Sequence, residues 1–222
     1  MNIEFINDQF YTWSDFSLSE MHHQSYLIFD VEGTGIDYTT EHIIQIGAVP
    51  VEQRMICNDQ VFHSHVRSPK PIPPQITQLT GVRQQDCDAA PPFPDVFQAF
   101  SRIAMSRVLV TQCGYEYDFP LLQHACHRYQ LPYHWPPMLD TKALFALLHP
   151  EIDAIFSTDF LAQYYQIDRS LYQRHDALGD ARLIVEIFIH ILDEYQQREV
   201  HAVDVWTPVR IRRFVLPPLP AG

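Results

Sequence analysis

The sequence predicts an α/β domain built on one mixed sheet. Three observations predict it: two short apolar runs joined by a turn-rich loop, YLIFDVE and HIIQIGAVPV; a third run that alternates apolar and polar residues, QVFHSHV; and, beyond them, patterns that switch between helical and strand spacing. Three leading antiparallel strands, then parallel strands alternating with helices that flank the sheet, is the arrangement such a pattern produces.

Residues 1–24 have no clean periodicity, yet Phe5, Phe10, Tyr11, Trp13 and Phe16 are too aromatic for a solvated tail. They are expected to pack on the domain or on a partner. Residues 26–32 and 42–51 read as strands, and GTGIDYTTE between them carries the glycines and turn formers of a connection between antiparallel neighbours. Residues 60–66 make a third strand. The proline-rich SPKPIPPQITQLTGV is a loop leading into a short helix that ends at Gly81.

Pro94 opens a helix over DVFQAFSRIA, and RVLVT at 107–111 is a buried strand. FPLLQHACHRY reads as a helix with Pro120 in its first turn, and further helices are expected at 142–148, 158–165 and 178–195. From about Gln197 neither helical nor strand periodicity is visible; the stretch holds Arg210, Arg212 and Arg213 and then PPLP. The chain thus divides into an N-terminal extension (1–24), a domain (25–196) and a C-terminal extension (197–222).

Composition narrows the function. With 46% hydrophobic residues among 222, the chain can bury one sizeable core. It has neither a signal-peptide layout nor an apolar run of membrane-spanning length, so a soluble cytoplasmic protein is expected. The four cysteines, Cys57, Cys87, Cys113 and Cys126, form no C-x-x-C pair, which argues against a zinc ribbon or a disulfide framework. A formal charge of −12 argues against coating long nucleic acid by phosphate neutralisation, but not against gripping a strand end through bound cations.

Asp30 and Glu32 lie two apart at the end of a strand, so both carboxylates point to one face. Paired acids on a rigid edge suit a hard divalent ion, and two ions roughly 3.5–4 Å apart need further acids from other elements. Asp118, just past the strand RVLVT, and Asp180, near the start of the last long helix, could reach the same edge. His175 precedes Asp180 by five residues, a rotation of about 500° along a helix. The two could not share a helical face, so His175 belongs on a loop before the helix.

Three motifs resemble those of the DEDDh exonucleases, which include the epsilon proofreading subunits of bacterial replicases, oligoribonucleases and the three-prime repair exonucleases. They are FDVEGTG with the following IIQIGAV, LVTQCGYEYDFPLLQ, whose end looks most like the three-prime repair branch, and HDALGDA with its H-x-x-x-x-D spacing. The resemblance covers residues 26–192. It implies a ribonuclease-H-like fold and hydrolysis of nucleotides from the 3′ end of single-stranded DNA or RNA, releasing mononucleotides. By the same resemblance Asp30 bridges two Mg²⁺ or Mn²⁺ ions, Glu32 and Asp180 complete one site, Asp118 holds the other, and His175 is the general base. Gly33, Thr34, Gly35 and Ile36 would hold the terminal nucleotide.

The chain departs from the family at Gln112 and Cys113, where His-Asn is usual, and Gln112 is expected to touch substrate. Gly33 replaces a common Thr or Ala and is expected to loosen its loop. Asp140 is expected to cap the helix near Lys142. A polymerase or a second copy of the chain would be a partner in keeping with the family. A competing reading keeps the fold but makes the chain a weakened module that binds nucleic-acid ends.

Overall fold

The computed structural model describes residues 1–132 and 135–214. Its strands are β1 (Asn2–Phe5), β2 (Phe10–Ser14), β3 (Phe16–Leu18), β4 (Tyr26–Gly33), β5 (Ile43–Glu52), β6 (Met55–Ile56), β7 (Phe62–His65), β8 (Val108–Thr111), β9 (Met138–Asp140), β10 (Val203–Val205) and β11 (Val209–Arg212). Its helices are α1 (Pro74–Thr80), α2 (Gln84–Asp88), α3 (Phe93–Ala104), α4 (Asp118–Arg128), α5 (Thr141–Leu148), α6 (Thr158–Tyr164) and α7 (Ala177–Gln197).

The main sheet runs β6-β5-β4-β8-β9, with β7 also on β5. β4 and β5 are antiparallel, whereas β8 runs parallel to both β4 and β9, which is the mixed sheet the sequence predicts. β5 spans ten residues, long enough to take β6 at its end and β7 nearer its start. Within the central domain, three elements, β6, β9 and α2, are additions to the expected set. Each has five residues or fewer, too few to establish a period.

The two chain ends fold against each other. β1, β2 and β11 form one small sheet and β3 and β10 another, both antiparallel. The expectation that residues after 197 lack regular structure is therefore corrected: β10 and β11 are strands whose partners lie some 190 residues earlier. Tyr11 and Trp13 are fully buried, with Tyr115 stacked edge-on or tilted against both rings. The PPLP segment lies outside the described residues.

β4 shows how the site is placed. Its first residues are buried on both faces; then Asp30 and Glu32 alternate with buried Val31 and Gly33, so the two acids share one face. Cross-strand partners share a face, and the register pairs Asp30 with Gly47 and Glu32 with Gln45. The start of α7 sits on that face. A Cβ added to Gly47 would overlap the backbone of Ala177 and Leu178, so only glycine lets helix and strand approach so closely. Gln45 fixes the same contact: its Oε1 accepts from Ala177 N at 2.9 Å and its Nε2 donates to Asp176 Oδ1 at 2.9 Å. Asp176 caps α7 through Gly179 N at 2.9 Å. Among the described residues no helix is long and apolar enough to cross a membrane.

Gly47→Ala tests this seating. Gly→Ala at a tolerant position stabilises by about 0.4–1 kcal/mol through the unfolded chain. Overpacking against backbone costs about 1–3 kcal/mol, and here it should dominate. The urea midpoint is expected to fall; an unchanged or higher midpoint would mean that the helix is not held by this contact.

Candidate active site

The acids of β4 open into a cavity of about 400 Å³ whose walls include Asp30, Glu32, Asp118, His175 and Asp180. Gly33, Gly35, Ile36 and Gln112 line it as well, with Ile76 and Leu79 of α1 and Ser157–Asp159 at the start of α6. All five acid and base positions singled out in the sequence therefore face one space. Another cavity, about 500 Å³ and lined by Phe97, Met105 and Trp135, has Asp95 as its one ionisable lining residue among the described residues.

Each functional side chain has its own support. Asp118 is the first residue of α4, buried, and its Oδ2 accepts from the hydroxyl of Thr111 at the end of β8. Because β8 is the parallel neighbour of β4, this brings Asp118 beside Asp30. Asp180 lies one turn into α7, buried, where Oδ2 accepts from His175 N at 2.7 Å and Oδ1 is ion-paired with Arg174. His175 precedes the helix with φ 58°, exposed, in the left-handed region. That geometry resolves the five-residue spacing: the loop turns back, so histidine and aspartate meet without sharing a helical face.

Two expectations for the substrate loop need correction. Thr34 is buried and does not line the cavity; its N donates to His42 O at 2.9 Å, and its hydroxyl is bonded to Glu41 and accepts from His42 N at 3.0 Å. Its amide is used inside the protein and is not free for a nucleotide. Gly33 is a matter of space rather than looseness, since a Cβ there would overlap the Tyr117 hydroxyl, which donates to Gly35 O at 2.6 Å. Gln112 lines the cavity with both ends of its amide engaged: Nε2 donates to Phe156 O at 2.7 Å, and Oε1 accepts from the Thr141 hydroxyl.

Other residues escaped sequence reasoning. Gln45 and Asp176 act on α7 rather than on the cavity, and Arg174 is a cation set among acids. Asp140 caps α5 through Lys142 N at 2.9 Å, and it also accepts from Cys113 N at 3.1 Å and Tyr115 N at 3.3 Å, holding the turn that leads to Asp118. Proximity of His175 to H-x-x-x-x-D could have flagged Arg174 and Asp176; no local pattern points to Gln45.

The electrostatics are those of crowded, dehydrated carboxyls. Burial, then repulsion from Asp118 and Glu32, holds Asp30 well above the ordinary carboxyl range. Burial and the charges of Asp118 and Asp176 push Glu32 up to about 8. Asp118 rises to about 7 through burial, with the Thr111 hydrogen bond pulling the other way. His175 moves down, mainly through partial desolvation of its ring and then through Arg174. Such a cluster favours a divalent cation, which reverses every one of the repulsions. Glu32, His175 and Asp180 present ligand atoms within 4.8 Å of one another, so the donor set fits an oxygen-preferring ion with one nitrogen at its edge.

A mixed sheet with helices on its faces gathers acids from β4, α4 and α7 into one cavity. Residues 27–188 match the RNase_T exonuclease family, and the chain belongs to that family. The family generally uses divalent metal ions. Among curated relatives, a PolC-type DNA polymerase III of Caldanaerobacter subterraneus is 28% identical over 190 residues, covering 86% of this chain and 13% of the relative. The 3′-5′ exonuclease DinG of Staphylococcus haemolyticus is 28% identical over 177 residues, covering 80% and 19%. The chain thus spans less than a fifth of the length of either relative.

In fold the chain is similar to the nuclease domain of 3′hExo, a DEDDh family member solved bound to rAMP, with a TM-score of 0.68 at 17% identity over 84% of this chain and all of that one. It is also similar to E. coli exonuclease I in complex with a dT13 oligonucleotide, at a TM-score of 0.65, 14% identity, and 79% and 42% coverage.

Glu32 and Asp118 bind a proton more tightly in the folded protein than in the unfolded chain. They favour folding below about pH 4, and that contribution is lost as pH rises through about 7 to 8. The melting temperature of EDTA-treated protein is therefore expected to fall between roughly pH 6 and pH 8, and Mn²⁺ should raise it more at the higher pH. Glu32→Gln should flatten the metal-free dependence. Melting insensitive to Mn²⁺ at both values would mean that the acids do not gather a cation.

Proposed function

We propose that this chain is a metal-dependent 3′→5′ exonuclease that hydrolyses mononucleotides from the 3′ end of a single strand, DNA before RNA. The observation that carries the reading is the meeting of Asp30, Glu32, Asp118, His175 and Asp180 in one cavity from β4, α4, α7 and the loop before α7. Family membership and the polymerase and DinG relatives support it. We assign residues 25–196 to the nuclease domain and the two flanking segments to extensions of it.

Asp30 would serve both of two ions, Glu32 and Asp180 one of them and Asp118 the other. Two Mg²⁺ or Mn²⁺ ions would activate a bound water and neutralise charge on the phosphate. The four acids fix where that charge sits; Ile36 and Gly35 border the space for the terminal nucleotide. His175 is the proton acceptor: partial desolvation and Arg174 favour its neutral form, so at neutral pH a ring nitrogen is free to take the proton of the attacking water. The intact acid set and base favour an enzyme over a module that only binds strand ends.

Purified protein and a 5′-labelled oligonucleotide with Mn²⁺ test the assignment. The wild type should give a ladder of products shortened from the 3′ end, and Asp30→Ala should abolish it; wild type and variant alike in leaving the strand whole would end the enzyme reading. His175→Ala is expected to slow turnover by about 10²–10⁴-fold. Because its imidazole must be unprotonated, the rate should drop on the acid side, with a midpoint below the ordinary histidine value of about 6.5. A His175→Ala rate equal to wild type would remove the base from the mechanism. Matched DNA and RNA strands digested in parallel decide the sugar.

A further inference from the structure

We propose that Phe214 is a stacking platform for a base of the substrate strand upstream of the terminal nucleotide. The inference rests on the nuclease reading and extends it to the C-terminal arm. Phe214 lies just past β11 and is 37% exposed, and it lines the same cavity as the acids. Beside an acid cluster that would take a strand end, an exposed aromatic ring offers a π-face, which any base can use.

The ring is held there by a built anchor. Phe214 N donates to Glu116 Oε1 at 2.8 Å, and the other oxygen of Glu116 is ion-paired with Lys142, which is fully buried. Arg213 Nε approaches Glu116 Oε1 at 3.8 Å, while Arg213 N donates to Gln9 O at 2.8 Å and its guanidinium lies 4.6 Å from the Phe5 ring. Burying a lysine and a glutamate together carries a large desolvation penalty, so this pair is an expensive way to end a loose tail and a reasonable way to fix a position. Glu116 belongs to the turn between β8 and α4 that also holds Gln112 and Cys113 and leads into Asp118, so the arm is tied directly to the catalytic side of the cavity. The loop of Gly33, Gly35 and Ile36 that would take the terminal nucleotide belongs to β4 and its following turn. Phe214 therefore comes to the cavity from a different element, available to the next base along.

The test compares two substrates: the p-nitrophenyl ester of thymidine 5′-monophosphate, in which a nitrophenolate leaving group replaces the upstream strand and its base, and a short oligothymidylate. Base stacking on an aromatic side chain contributes roughly 1–3 kcal/mol per base, which is about 5- to 150-fold in affinity. Phe214→Ala should raise KM for the oligonucleotide by about tenfold or more and leave kcat and KM for the nitrophenyl ester unchanged; Phe214→Trp should restore oligonucleotide KM. The loss should persist at raised salt, because stacking, unlike phosphate contact, releases no counterions. Equal oligonucleotide KM in Phe214→Ala and wild type would overturn the proposal, and so would a parallel loss on both substrates, which would place the ring in the terminal-nucleotide site or in the fold itself. Wild-type protein inert on both substrates would count against the nuclease reading, a result distinct from either.

Discussion

The close seating of α7 on β5 is the contact on which the rest depends. Gly47 has no side chain to keep the helix away, Gln45 binds the first helical amide and the capping aspartate, and both residues stand opposite the acids of β4 in register. Once Ala177 and Asp176 are fixed, Asp180 follows one turn later at a rise of about 1.5 Å per residue, directed to the same face. The left-handed turn at His175 then brings the base back to Asp180. Asp118 reaches the group from the other flank, because β8 is the parallel neighbour of β4.

Geometry of this kind opposes stability. Carboxyls brought together under a protein roof repel one another and lose water, and the raised pKa values of Glu32 and Asp118 express both effects. Arg174 offsets part of the repulsion: it is ion-paired with Asp180 and lowers the affinity of Asp30 and Glu32 for protons. A single guanidinium cannot balance four acids, and the remaining imbalance is the physical basis for cation affinity. The acidic net charge of the chain is then no obstacle to a nucleic-acid substrate, since the local sign at the site is set by what the acids hold.

The central sheet and the acids were legible in the sequence for a simple reason: long apolar runs and spaced carboxylates leave period and position in the text. Asp30 and Glu32 share a face because a strand has period two, and His175 had to leave the helix because five residues do not close a turn. What the text hides is pairing at a distance. VRIR at 209–212 is too short to announce a strand, and it becomes one because β2 offers an edge. Thr34 reads as a nucleotide contact in the sequence, whereas in the fold His42 and Glu41 occupy its amide and hydroxyl. Gly33 looked like freedom, and the Tyr117 hydroxyl makes it a necessity of space. Gln45 carries no local signal at all, since its role exists only where β5 meets α7.

The central claim, that buried acids form a cation centre whose charge balance is completed by metal, is tested most directly by calorimetric titration of Mn²⁺ near neutral pH in two buffers of different ionisation enthalpy. Binding should be accompanied by proton release, because without an ion Glu32 is largely and Asp118 partly protonated, and the release should shrink in Glu32→Gln. Binding with no difference between the buffers, or no binding at all, would contradict the account.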